Sequence, residues 1–125
     1  MLGAGIYPIT LAEMPTYSQD ADRLFDNDDH ERLKEFLALH PESGDIIPGT
    51  GGVRKARWPI KGAMRFRVIY YFRDLNMPLQ LLAIYARGER IPLSPAQCRE
   101  IESLVNDLVA QYSKRWAPVI GLTSA

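Results

Sequence analysis

Apolar residues recur at helical spacing in two parts of the chain. One helix is predicted to follow a capping Asp26 or Asn27 and to end at about Leu39. Another begins at the motif LSPAQ, in which Ser94 and Gln97 form a capping box. Its apolar face consists of Ile101, Leu104, Val105, Leu108, Val109 and Tyr112. A shorter helix is predicted over residues 16–25, and regular structure is expected to end at Pro118.

Between these helices the pattern becomes that of β-strands. Residues 53–58 (VRKARW), 65–73 (RFRVIYYFR) and 79–86 (LQLLAIYA) are rich in β-branched and aromatic side chains and are joined by short links. A short strand is also predicted within residues 5–12. We therefore expect an α+β fold, with a three- or four-stranded antiparallel sheet, N-terminal helices and one C-terminal helix packed on one face. Residues 1–117 form the single domain and 118–125 a loose tail.

Strand alternation separates the side chains of residues 65–73 into two faces. Phe66, Val68, Tyr70 and Phe72 are apolar and should face the helices. The second set is expected to form an open face, and consists of Arg65, Arg67, Ile69, Tyr71 and Arg73. In the preceding strand Lys55 and Arg57 should join Arg67, whereas Arg54 points to the other face unless a bulge intervenes.

Charge is segregated along a chain that is neutral overall, with 15 cations and 15 acids. From residue 46 to residue 73 there is no acid, and the cations are Arg54, Lys55, Arg57, Lys61, Arg65, Arg67 and Arg73. Such a segment creates a local positive field suited to a polyanion. Solubilising charge on an exposed sheet is the simpler interpretation, but the single sign and the excess of arginine favour phosphate recognition.

Several classes of protein are disfavoured by the composition. Cys98 is the only cysteine, so an intrachain disulfide is excluded and a reducing, cytoplasmic environment is expected. The apolar runs are too short to cross a membrane. No cluster of histidine and cysteine suggests a metal, and no cofactor is expected. His30 and His40 are interpreted as surface or capping residues, and the glycines of residues 49–52 as a turn or, alternatively, a phosphate cradle.

Four segments together resemble a known family. HPESGDIIPGTGGVRKARW, RFRVIYYF, LLAIYARGE and LSPAQ are similar to the HigB-like branch of the RelE/ParE toxins of type II toxin–antitoxin systems, over roughly residues 33–109. The resemblance implies a RelE-like small sheet flanked by helices. It also implies a ribosome-dependent endoribonuclease (an mRNA interferase) that cuts mRNA on the 70S ribosome, and a cognate antitoxin, expected to be a helix-turn-helix protein.

The resemblance matches the family's basic site residues to Arg54, Lys55, Arg57, Arg67 and Arg87, and the acid-free segment and the open face of the sheet add Lys61, Arg65, Tyr71 and Tyr85. The proposed catalytic set is Lys55, Arg57, Arg67, Tyr71 and Arg87, and the proposed RNA-binding set is Arg54, Lys61, Arg65 and Tyr85. Lys55 or Tyr71 would serve as the base, and the nucleophile would be the 2′-hydroxyl of the RNA itself. The chain departs from the family where Arg87-Gly88 replaces a usual lysine-asparagine pair, and where the linker at residues 60–64 is shorter.

The sequence is also compatible with two other functions. Related toxins inhibit DNA gyrase and cut no RNA, and a non-toxic domain that only binds nucleic acid is a weaker alternative. The antitoxin is expected to place acidic residues against Lys55, Arg57, Arg67 or Arg87. The alternative is an antitoxin that docks on the acidic helices of residues 20–35 and leaves the basic face open.

Overall fold

The described residues form an α+β domain of five strands and three helices. The computed structural model describes residues 9–59, 65–86 and 93–124, with side chains over residues 9–58, 66–86 and 93–113. In chain order the elements are β1 (Leu11–Glu13), α1 (Pro15–Leu24), α2 (Asn27–Leu39), β2 (Asp45–Ile46), β3 (Arg54–Pro59), β4 (Arg65–Tyr71), β5 (Leu79–Ala86) and α3 (Pro95–Ser124).

The predicted helix starts are confirmed by their caps. The Asp26 side chain accepts a hydrogen bond from the backbone N–H of Asp29 at 2.8 Å, which begins α2. At the start of α3, the backbone N–H of Gln97 donates to the Ser94 hydroxyl at 3.2 Å, and the Gln97 side chain accepts from the Ser94 N–H at 3.0 Å. Helix α3 runs to Ser124, so the predicted end at Pro118 is wrong. A proline inside a helix removes one backbone hydrogen bond, but the turns beyond it can still form.

The sheet has the order β1-β5-β4-β3-β2 and is mixed rather than purely antiparallel. Strands β2 to β5 form the expected antiparallel meander, while β1 pairs parallel to β5 at the other edge, with Leu11 opposite Leu79. The chain between β1 and β5 contains α1, α2 and strands β2 to β4. Helix α1 contacts β5, and the long connection allows β1 and β5 to pair in parallel. The prediction of three or four antiparallel strands therefore missed β2 and the parallel pairing of β1.

The first face of the sheet is covered by the two N-terminal helices, as predicted. Phe66, Val68 and Tyr70 are buried there, together with Tyr17 from α1 and residues of α2 that include Leu33 and Leu37. The Phe66 and Phe25 rings are 5.1 Å apart between centroids. Burial of this continuous apolar surface is the main force that holds α1 and α2 on the sheet.

The second face is not open along its length, because α3 packs against part of it. Ile69 and Tyr71 are buried beneath Val105 and Leu108 of α3. The prediction that all helices share one face is therefore wrong. Ile69 and Tyr71 are apolar members of the set assigned to solvent, and the apolar stripe of α3 covers them because exposing both would be unfavourable.

A polar pair lies at the edge of the first core. The Tyr17 hydroxyl and His30 Nε2 are 3.0 Å apart, and the His30 ring stacks on Phe25 with a centroid distance of 5.6 Å. Burial raises the pKa of Tyr17, so its hydroxyl keeps its proton and can donate to the neutral imidazole. Burial also lowers the pKa of His30, which therefore resists protonation in the folded protein. His30 is a core-edge residue rather than the surface residue predicted.

This pair predicts loss of stability in mild acid. Because the pKa of His30 is lower in the folded than in the unfolded chain, the unfolded chain binds more protons once the pH falls below about 6.5. The free energy of unfolding should then decrease down to the folded-state pKa. Urea unfolding at about pH 7.5 and about pH 5.5 measures this effect. Between these two pH values the free energy of unfolding should decrease less in His30→Gln than in the wild type. Equal decreases in the two proteins would contradict this role of His30.

Candidate nucleic-acid interface

A row of polar side chains crosses the part of the second face that lies beside the α3 contact. Arg57 of β3 lies directly opposite Arg67 of β4, and Arg67 lies directly opposite Tyr85 of β5. Directly opposite residues of antiparallel strands project from the same face, with Cβ atoms about 4.5–5.5 Å apart. The strands therefore place two arginines and one tyrosine at adjacent positions on one face; we call Arg57, Arg67 and Tyr85 the basic row.

The two arginines of the basic row have no partner in the described part of the protein. Both are exposed, and neither side chain forms a hydrogen bond or an ion pair with any residue that the structure describes. Like charges placed directly opposite each other destabilise a sheet. An arrangement that costs stability and leaves both arginines unpaired is suited to an anion that bridges them, such as a phosphate group with its forked acceptors.

Lys55 extends the basic row along β3. It lies two residues before Arg57, about 6.6 Å along the strand, and projects from the same face. Its position is half-buried, between Ile69 of β4 and Asp45 of β2. The acid-free segment of the sequence therefore has an exposed acid beside it in space, because Asp45 lies directly opposite Lys55. Asp45 therefore offsets part of the positive charge of Lys55, whereas Arg57 lies opposite a second cation.

The structure does not bring Tyr71 to the basic row. Tyr71 lies four residues after Arg67 on β4, a separation of about 13 Å along the strand. It is buried in the core formed with α3, near Gly52. Tyr85, which is half-buried at the border of the same core, is instead the tyrosine beside Arg67. Tyr85 is therefore better placed than Tyr71 to contact a ligand of the two arginines.

Arg54 points to the opposite side of β3, as strand alternation predicted. Its Nη1 donates to the backbone carbonyl of Gly44 at 2.7 Å and to that of Glu42 at 3.1 Å. The Glu42 carboxylate lies 3.9 Å from Nη2. Arg54 thus holds the segment between α2 and β2 against the sheet. Its Nη1 is engaged by two carbonyls, so the structure assigns it a structural role apart from the basic row.

The glycine-rich segment before β3 is a packed turn. Gly49, Gly51 and Gly52 all have positive φ angles, which side chains with a Cβ disfavour. Inside the turn the buried Thr50 hydroxyl donates to the carbonyl of Ile47 at 2.6 Å and accepts from the N–H of Val53 at 3.1 Å. A Cβ on Gly51 would lie 3.2 Å from Cγ of Glu102 on α3. This geometry supports the turn interpretation over the phosphate cradle.

Three proposed site residues cannot be placed with the others. Lys61 and Arg87 lie outside the described residues, as does the side chain of Arg65, whose backbone pairs with Pro59.

Within the described ranges, no group of three or more histidine, cysteine or acidic residues could hold a metal ion. In the same ranges no helix is long and apolar enough to cross a membrane. No family model matches the chain.

Proposed function

We propose that the protein is a toxin of the RelE/HigB-like kind that cleaves mRNA on the ribosome. The observation that carries the proposal is the pair of exposed arginines, Arg57 and Arg67, which lie directly opposite each other on the sheet and whose side chains have no partner among the described residues. The sequence resemblance, which centres on the segments that contain these residues, supports the same function. A basic row of this size fits the backbone of a single RNA strand.

The chemistry needs few protein groups because RNA carries its own nucleophile. The 2′-hydroxyl attacks the adjacent phosphorus, the bond to the 5′-oxygen breaks, and the products are a 2′,3′-cyclic phosphate and a 5′-hydroxyl. Arg57 and Arg67 would bind the phosphate oxygens and stabilise the negative charge that builds up in the transition state. The paired strands fix the positions from which both arginines project, which limits the reorganisation that phosphate binding requires.

Proton transfer is the second task of the site. Lys55 lies on the same face as Arg57 and is the nearest described basic residue along the strand. Tyr85 lies across from Arg67 on the other side. We therefore assign to Lys55 and Tyr85 the contacts with the 2′-hydroxyl and the leaving oxygen, and we place Tyr71 in the supporting core. Arg87 follows β5 in the sequence and completes the proposed set. Each general acid or base typically contributes about 10²–10⁴-fold.

Primer extension on mRNA from cells that express the protein tests this function. Wild-type protein should produce new 5′ ends within codons of translated messages, whereas Arg67→Ala should not. Growth arrest with intact mRNA would contradict the proposal. Arrest accompanied by blocked supercoiling, with translation continuing, would favour the gyrase-directed alternative instead.

The proposed partner is a cognate antitoxin. Neutralising a toxin of this kind requires that the basic row be covered or that its entry to the ribosome be blocked. An acidic antitoxin segment over Arg57 and Arg67 would do this by charge complementarity. Arg57→Glu should then impair capture, and a matching acid-to-base change in the antitoxin should restore it. Unchanged affinity in Arg57→Glu, with affinity lost in a Glu31→Lys variant on α2, would place the antitoxin on the acidic helices.

A further inference from the structure

A groove lies at the β1 edge of the sheet, between β1 and α2 on the first face, whereas the basic row projects from the second face. It is open and has a volume of about 410 Å³. Its walls come from the β1 side, with Ile9, Thr10 and Leu11, and from one stripe of α2, with Glu31, Lys34, Glu35 and Ala38. The α2 residues recur at three- and four-residue spacing, so the helix presents a continuous wall along the strand. This volume is large enough for several side chains.

Only alternate residues of β1 form backbone hydrogen bonds with β5. In the parallel ladder the carbonyl of Thr10 accepts from the N–H of Leu79 at 2.9 Å, and the N–H of Met14 donates to the carbonyl of Leu81 at 3.0 Å. Alternate residues of a strand direct their backbone groups to opposite edges. The N–H and C=O groups of Leu11 and Glu13 therefore point away from β5, and no described strand pairs with that edge. A further strand could add there by main-chain hydrogen bonds.

The charge of the groove selects the kind of strand. Lys34 is engaged by two acids, with its Nζ 2.8 Å from a carboxylate oxygen of Glu31 and 3.5 Å from one of Glu13. The side chain of Glu35 forms no hydrogen bond or ion pair with any described residue. The groove thus has one uncompensated carboxylate next to the apolar surfaces of Ile9, Leu11 and Ala38. A segment that fits this groove has apolar and cationic side chains on one face. The carboxylate of Glu35 disfavours a nucleic acid, because both are negatively charged.

We propose that this groove binds an extended, basic segment of a protein partner, which adds as a strand beside β1. Alternate side chains of the segment would project toward α2, with apolar residues between β1 and Ala38 and a lysine or arginine beside Glu35. The groove lies on the α2 side of the sheet and the basic row projects from the second face, so occupancy leaves the basic row open. The proposal does not rest on RNA cleavage, and it remains testable in a protein that cuts no RNA.

Binding of one synthetic peptide tests the side-chain part of the proposal. The probe is a fluorescein-labelled heptapeptide, Val-Thr-Lys-Thr-Val-Thr-Lys, which places valine and lysine on one face of a strand; the control peptide has glutamate in place of lysine. Fluorescence anisotropy with the full chain should show binding of the lysine peptide only. Glu35→Lys should weaken it about tenfold. The matched variant Asp107→Lys, which makes the same charge change on exposed α3, should alter it less than about twofold.

Amide hydrogen exchange tests the backbone part. The lysine peptide should slow exchange at Leu11 and Glu13 and leave Ala12, whose N–H points toward β5, unchanged. Absence of binding, equal effects of Glu35→Lys and Asp107→Lys, or binding without protection at Leu11 and Glu13 would each overturn the proposal. Protection that appears without peptide and rises with protein concentration would assign the edge to a second copy of the chain, and would overturn it as well.

Discussion

Replacing Arg67 with alanine is expected to abolish mRNA cleavage while leaving the fold intact. Arg67 projects from the middle of the sheet into the basic row and has no partner among the described residues. Loss of one positioned charge at a developing oxyanion typically costs about 10²–10³ in rate. Because the substitution also removes the like-charge pair with Arg57, the free energy of unfolding should stay the same or rise by a few tenths of a kcal/mol.

Growth arrest on induction and the rate of mRNA cleavage measure the effect of Arg67→Ala, and urea unfolding measures its fold. Arg73→Ala is the matched control, since Arg73 lies six residues further along the same segment and is paired with Asp74 at 3.5 Å. That variant should retain near wild-type activity. Activity lost in Arg73→Ala and retained in Arg67→Ala would show that the site has been placed at the wrong end of β4. Lys55→Ala and Arg57→Ala should each weaken cleavage.

Replacing Phe66, the neighbour of Arg67, should have the opposite consequences. Phe66 is 1% exposed and packs against Phe25 in the first core. Phe66→Ala leaves a large cavity and is expected to lower the free energy of unfolding by about 3–5 kcal/mol. That is a large fraction of the stability of a small domain. Val68→Ala removes fewer atoms from the same buried face and should cost about 2 kcal/mol.

Urea denaturation of Phe66→Ala and Val68→Ala measures these losses. The folded fraction of each variant should keep its cleavage rate, because neither side chain reaches the basic row. A midpoint close to the wild-type value in Phe66→Ala would contradict the assignment of this face to the core. Loss of cleavage by fully folded Val68→Ala would show that the two faces of β4 are coupled.

Local features of the fold were predictable because they depend on neighbouring residues. The cap at Asp26, the capping box of Ser94 and Gln97, and the alternation of β4 are all encoded within a few positions. Alternation also predicted correctly that Arg54 leaves the face shared by Arg57 and Arg67. These are short-range consequences of backbone geometry, and the structure confirms them.

Long-range features were not predictable from the same patterns. The parallel pairing of β1 with β5 joins segments more than 60 residues apart, and nothing in residues 11–13 specifies that partner. The sheet face chosen by α3 was missed, although Ile69 and Tyr71 on the supposed open face were a signal. A bulge at Leu82 of β5 also shifts the register between Ile69 and Tyr70. The alternation of side chains within one strand predicts which residues share a face. The residues that lie opposite each other on two strands are known only once the strands are paired.

The candidate site shows the same division. The sequence indicated that Lys55, Arg57 and Arg67 share a face. It did not indicate that Arg57 of β3 lies directly opposite Arg67 of the neighbouring strand β4. The direct pairing depends on the register of the β3–β4 hairpin. It is also the register of β4 with β5 that places Tyr85 beside Arg67 and leaves Tyr71 in the core. The choice of tyrosine therefore required the fold.

The most direct test of the proposed function is mRNA cleavage in a purified translation system, with ribosomes, one defined message and the protein as the only added factor. The account predicts that wild-type protein cuts the message within codons and leaves 2′,3′-cyclic phosphate ends. Arg67→Ala, at the same concentration and with the same urea midpoint, should leave the message intact. Wild-type protein that stops peptide synthesis without cutting the message, or equal cutting by Arg67→Ala, would contradict the claim that the basic row cleaves RNA.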